Sequence, residues 1–122
     1  MNDLATLEID RQGEVVIARV RGELDISNAG STGDAISSAV TADARGLVVD
    51  FTGLEFIDSS GVSMLFRLAR ELGEHRQVLR LVAPSGTAVA RVLEIVDFER
   101  AAAIDPTVEA AVAGVESGKH GA

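Results

Sequence analysis

With 122 residues, the chain has room for one domain built around one hydrophobic core. Its 47% hydrophobic and 25% charged residues exclude wholesale disorder, while 3% aromatic content with no Trp or Tyr leaves an aliphatic core and no base-stacking platform. A net charge of −8 repels phosphate backbones, and the absence of Cys excludes disulfides, thiolate nucleophiles and cysteine metal sites, so no direct nucleic-acid partner is expected and a reducing cytoplasm is the expected location.

In chain order, Leu4 to Ile9 alternates loosely between polar and apolar residues, Gln12-Gly13 supplies a tight turn, and Glu14 to Val20 follows as a β-branched strand. The pair reads as a hairpin whose second strand sets Val16, Ala18 and Val20 on one face and Val15, Ile17 and Arg19 on the other. Gly22-Glu23-Leu24-Asp25 then breaks the pattern. Ser27 to Thr41 carries Ala29, Gly33, Ile36 and Val40 at helical intervals, and its glycines make that helix dependent on packing. Leu47-Val48-Val49-Asp50-Phe51, bounded by Gly46 and Gly53, has the composition of a strand buried on both faces and is read as the central one. From Ser60, the residues Val62, Leu65, Ala69 and Leu72 recur at three- and four-residue steps, giving the clearest amphipathic helix, with Gly73 as its expected end.

Val78 to Val82 reads as another strand, and Pro84-Ser85-Gly86 opens a helix carrying Val89, Val92, Leu93 and Val96. A short strand near Ala101 to Ile104 is followed by Pro106 and a terminal helix running toward Ala113. Ser117 to Ala122 contains no apolar residue larger than Ala, so the ordered domain is expected over 1–113, with 114–122 a disordered tail. A hairpin followed by alternating helices and strands predicts an α/β (α+β) fold: a mixed central sheet with about four helices packed against it.

The stretch with most chemical content joins the buried strand to the best helix: Asp50-Phe51-Thr52-Gly53-Leu54-Glu55-Phe56-Ile57-Asp58-Ser59-Ser60-Gly61. The first N–H groups of a helix lack intrahelical partners, and the macrodipole adds about half a positive charge there, so a phosphoryl group of roughly −1.5 to −2 charge could be held without melting the helix. Asp58, Ser59 and Ser60 are also residue types favoured at the N-cap, where one of them contributes ~1 kcal/mol. Phe56 and Ile57 are expected in the core; exposed apolar residues around the motif would instead indicate an interface.

Two signatures, Gly22-Glu23-Leu24-Asp25 after the second strand and Phe56-Ile57-Asp58-Ser59-Ser60-Gly61 after the apolar strand ending at Asp50, make the chain resemble the STAS domain family over about residues 4 to 113, and within it the stand-alone anti-sigma factor antagonists. The resemblance implies a non-catalytic switch. Ser59, first serine of the Asp-Ser-Ser-Gly motif, would be phosphorylated by an anti-sigma factor that is also a serine kinase and dephosphorylated by a PP2C-type phosphatase. Only the unmodified chain would bind the anti-sigma factor and so free a sigma factor. Asp25, Asp58, Ser60 and Gly61 would form the switch and partner-binding surface, the free chain being a monomer or weak dimer. Two features are the chain's own: Val62-Ser63 where relatives commonly have Leu-Gly, and Asp97-Phe98 where Gly-Leu is frequent.

Other readings lack their residues. The Gly-x-Ser-x-Gly elbow of hydrolases is missing, since Ile57 lies two residues before Ser59. His75 and His120, the only histidines, have no metal-ligand spacing, so no metal and no cofactor is expected. Asp50 ends a buried strand as in a response-regulator receiver, yet the acidic cluster is absent and the sole Lys is Lys119. Lys119 also lacks the upstream Gly of a phosphate loop. The N-terminus has neither the basic nor the apolar region of a signal peptide, and no apolar run approaches the ~20 residues of a bilayer span. The remaining alternative lies within the family: an unphosphorylated STAS scaffold subunit of a stress-signalling or lipid-transport complex.

Overall fold

The computed structural model describes residues 5–118. Strand β1 (Ala5–Gln12) pairs antiparallel with β2 (Val15–Leu24) around a turn in which Gly13 takes φ +61°. Then follow α1 (Ala29–Ala39), β3 (Gly46–Asp50), β4 (Leu54–Ile57), α2 (Ser59–Glu74), β5 (Val78–Val82), α3 (Ala88–Ile95), a 3-10 turn (Phe98–Arg100), β6 (Ala103–Asp105) and α4 (Val108–Glu116). The sheet is mixed and six-stranded, in the order β1-β2-β3-β5-β6, with every pairing after the hairpin parallel and β4 alongside β2. This is the α/β architecture expected, with β3 central. Leu4, the expected start of the first strand, lies outside the described residues.

Alternation along β2 divides the core as its pattern predicts. Val16, Ala18 and Val20 join Leu47, Val49 and Leu81 under α1, α2 and α3, against Ile36, Leu65, Leu68 and Leu93. Val15 and Ile17 point to the other face, where Val48, Val78 and Val82 meet Ala111, Val112 and Val115 of α4. Each fully buried Val contributes roughly 1.5–3 kcal/mol.

Three expectations need correction. Gly22 does not end β2: it takes φ +95° at a bulge between Gly22 and Glu23, and the strand continues to Leu24, serving β3 with its first half and β4 with its second. Gly73 does not end α2 either. The helix runs to Glu74, and Arg76 adopts φ +58° while Gln77 N–H donates to Leu72 O at 2.8 Å and Arg76 N–H to Gly73 O at 3.1 Å, a Schellman closure in which an arginine occupies the usual glycine position.

The third is the boundary at 113. Helix α4 continues to Glu116, and Val115 is 0% exposed, so residues 114–116 belong to the folded body. Close approach fixes this helix: a Cβ at Gly46 would lie 2.8 Å from Val115 Cγ1 and 2.2 Å from Val78 O. Beneath Gly114, Arg80 makes a two-pronged ion pair with Asp105 at 2.7 and 3.1 Å, which holds the guanidinium pKa above its ordinary value. Residues 119–122 of the expected tail lie outside the described residues.

Candidate functional site at the start of α2

The path from the sheet to α2 is set by Asp50. Its buried carboxylate accepts from Thr52 N–H at 2.9 Å and Thr52 Oγ1 at 2.6 Å, with Arg19 Nε at 3.9 Å, so it turns the chain off the end of β3. Asp50 is thus a satisfied polar strand end. The chain then forms β4, which sequence reading had passed over. Its ladder with β2 pairs Leu24 with Ile57 and closes with Asp58 N–H donating to Leu24 O at 3.1 Å.

That register puts Asp25 and Asp58, the next residue on each chain, at adjacent ends of two parallel strands. Asp58 is the N-cap of α2: its carboxylate accepts from Ser60 N–H at 2.8 Å and Gly61 N–H at 3.2 Å, while its carbonyl takes the first helical bond from Val62 N–H at 3.0 Å. Gly61 is buried, and a Cβ there would lie 2.6 Å from Ile57 Cγ1 and 3.2 Å from Leu24 Cβ. Only a glycine lets α2 start this close to the strand ends.

Ser59, the first helical residue, is exposed and makes no side-chain hydrogen bond among the described residues. Ser60 is half-buried on the side facing α1. The capping geometry corrects one expectation: two of the N–H groups thought free to hold an anion are already taken by Asp58. A phosphoryl group on Ser59 would therefore stand in solvent beside a carboxylate, favoured by the helix dipole and opposed by that like charge.

Asp25 is held by its own loop. Its Oδ1 accepts from Ser27 N–H at 2.9 Å and from the Ser27 hydroxyl. Asn28, 6% exposed, accepts from Asp25 N–H at 3.0 Å and donates through Nδ2 to Glu23 O at 2.9 Å. It ties the loop to β2 and starts α1 by accepting from Thr32 N–H at 2.9 Å. Sequence reading missed Asn28; the spacing Asp25-x-x-Asn28 after a strand end was the available signal. The structure thus brings Asp25, Asp58, Ser59, Ser60 and Gly61 to one end of the sheet.

Apolar residues surround this end. Ile57 is in the core as expected, but Phe56 is 48% exposed, because β4 buries Leu54 and Ile57 and turns Glu55 and Phe56 outward. Ile26, beside Asp25, is 83% exposed. Among the described residues no cluster of His, Cys, Asp and Glu could hold a metal ion, and no helix is long and apolar enough to cross a membrane. His75 is exposed beyond α2, its Nδ1 2.8 Å from Glu71 O; His120 lies outside the described residues.

A chain of this layout has relatives in shape and sequence. It is 24% identical over 117 residues to the anti-sigma-F factor antagonist RsfB of Mycobacterium tuberculosis, covering 96% of this chain and 94% of that protein. It is 29% identical over 106 residues to the antagonist RsfA of the same organism, covering 85% and 82%. The unphosphorylated anti-sigma factor antagonist SpoIIAA superposes with a TM-score of 0.69 at 26% identity, covering 91% of this chain and 98% of that one. An anti-sigma factor antagonist from Mycobacterium paratuberculosis shares the fold with a TM-score of 0.82 at 24% identity, covering 92% and 94%. The family model described as STAS domain matches residues 6–111, nearly the whole described body, and the chain belongs to the STAS domain family.

Proposed function

We propose that the chain is an anti-sigma factor antagonist that acts by binding, with no reaction of its own. The unmodified form docks onto a cytoplasmic anti-sigma factor with serine kinase activity and so frees a sigma factor. The observation that carries this is the Ser59 hydroxyl, exposed at the first turn of α2 next to the Asp58 strand end, with exposed Ile26 and Phe56 close to the paired ends of β2 and β4. An apolar rim around an accessible hydroxyl suits a protein partner. The likeness to relatives named anti-sigma-F factor antagonists, and to SpoIIAA in both its unphosphorylated and phosphorylated forms, supports the same reading.

Phosphorylation of Ser59 adds roughly −1.5 to −2 charge next to the Asp58 carboxylate. The added charge would have to be desolvated against the partner together with Asp58 and Asp25. A mismatch of that kind costs several kcal/mol, where about 1.4 kcal/mol is tenfold in affinity. Ser59 is outside the core, so the fold persists while docking is lost; a PP2C-type phosphatase restores binding. The site assignment is tested by incubating the chain with the kinase and ATP and reading intact mass. The wild type and Ser60→Ala gain one phosphoryl group and Ser59→Ala gains none; a gain by Ser59→Ala with loss in Ser60→Ala would move the switch to Ser60.

A further inference from the structure

Beside the Ser59 turn, an open groove runs between α1 and α2, walled by Ile26, Ser60, Ser63, Phe66, Arg67 and Arg70. No Asp or Glu lines it, although the chain carries a net charge of −8. The groove beside α3 shows the opposite balance, with Glu94, Glu99 and Asp105 against Arg91. The floor of the α1–α2 groove is fixed by close helix contact, since a Cβ at Gly33 would lie 2.6 Å from Met64 Cγ. Arg67 is pinned there, 3.4 Å from Asp34 and 3.9 Å from Glu71. Arg70 differs: it is exposed and has no hydrogen-bond or ion-pair partner among the described residues.

We propose that this groove receives an acidic, partly apolar segment of the anti-sigma factor, with Arg70 as its charged anchor and Ile26 and Phe66 as its apolar ones. The inference rests on the antagonist reading and adds a second contact to it. Three observations select this occupant. Arg67 already shares its charge with Asp34 and Glu71, which leaves Arg70 as an unpaired cation on an acidic protein, so a carboxylate-bearing segment gains attraction at Arg70. Exposed apolar side chains at both ends, Ile26 at 83% and Phe66 at 36%, ask for apolar cover as well as charge. Ser60 belongs to both the groove and the phosphoacceptor turn, so one partner surface can span the two.

Ser63 places an exposed hydroxyl in the groove wall. A partner presenting a carboxylate or carbonyl to Ser63 gains a hydrogen bond beside the Arg70 contact, which makes the two residues determinants of partner choice.

The test titrates purified serine-kinase anti-sigma factors of the source organism, one by one, with the full chain and with Arg70→Glu, Arg70→Lys and Arg91→Glu. For the factor that binds the wild type, Arg70→Glu should weaken affinity by about 10- to 100-fold and flatten its salt dependence, while Arg70→Lys keeps most of both. Arg91→Glu, an equal charge change beside α3, should leave affinity within about twofold. If Arg70→Glu binds like the wild type while Ser59→Asp is weakened, the groove inference fails and the antagonist reading stands. If no factor binds the wild type, the antagonist reading fails and the groove inference falls with it. Self-association of the chain that is lost in Arg70→Glu would assign the groove to a second copy and overturn the proposal.

Discussion

Helix α2 contains two glycines whose replacement by alanine should change stability in opposite directions. Alanine is favoured over glycine in a helix interior by roughly 0.5–1 kcal/mol, because glycine loses more backbone freedom on folding. At Gly73 nothing lies within 4 Å of an added methyl, so Gly73→Ala should realise that gain. At Gly61 the methyl would sit 2.6 and 3.1 Å from Ile57 Cγ1 and Cδ1 and 3.2 Å from Leu24 Cβ. Ile57 is 5% exposed and Leu24 0%, so neither can move aside freely, and overpacking of this kind costs about 1–3 kcal/mol. Net of the same helix gain, Gly61→Ala should be less stable than the wild type by about 1–2 kcal/mol. For a chain of this length roughly 1 kcal/mol moves the melting temperature by about 4 °C, so the two variants should melt about 6–12 °C apart on either side of the wild type. Thermal melts followed by far-UV circular dichroism, with urea titrations to check that the m-value is unchanged, read the difference directly. A Gly61→Ala variant as stable as Gly73→Ala would refute the close packing of α2 on the strand ends, and with it the geometry assigned to Ser59.

Backbone sign and charge pairing give the remaining predictions. Arg76 and Asp97 both take φ +58°, a region that costs most side chains about 1–2 kcal/mol and aspartate less. Arg76→Gly should therefore raise stability by roughly 1 kcal/mol and Asp97→Gly by less, both read as urea midpoints. Asp105→Ala leaves Arg80 half-buried beneath α4 without its carboxylate and should cost about 1.5–3 kcal/mol, with proteolysis in α4 appearing before global unfolding. Equal stability of Asp105→Ala and the wild type would show that α4 does not depend on this pair.

Much of the fold was legible because its signals were local. Val78 to Val82 and the buried run ending at Asp50 are strands at the expected places, and the α2 stripe of Val62, Leu65 and Leu72 faces the core. Elements defined by distant partners were not legible. Leu54-Glu55-Phe56-Ile57 does not alternate and becomes a strand only because the far end of β2, beyond the Gly22 bulge, offers it a ladder. Val115 packs onto the sheet through a close approach that the missing side chain of Gly46 permits. Residue type points to Gly73 for the turn after α2, whereas the hydrogen bonds from Arg76 and Gln77 place it three residues later. At the site, the hydroxyl and its cap could be read from Asp58-Ser59-Ser60-Gly61. The occupied N–H groups, the outward Phe56 and the brace from Asn28 depend on how two strand ends meet.

The most direct test of the switch is the affinity of one purified kinase-type anti-sigma factor for the chain before and after stoichiometric phosphorylation at Ser59, measured by calorimetry with melting curves for both forms. The predicted result is a loss of at least about 100-fold in affinity, corresponding to about 2.8 kcal/mol or more, with the two melting temperatures within a few degrees. Equal affinity of the two forms, or loss of binding that merely tracks unfolding of the phosphorylated chain, would contradict it.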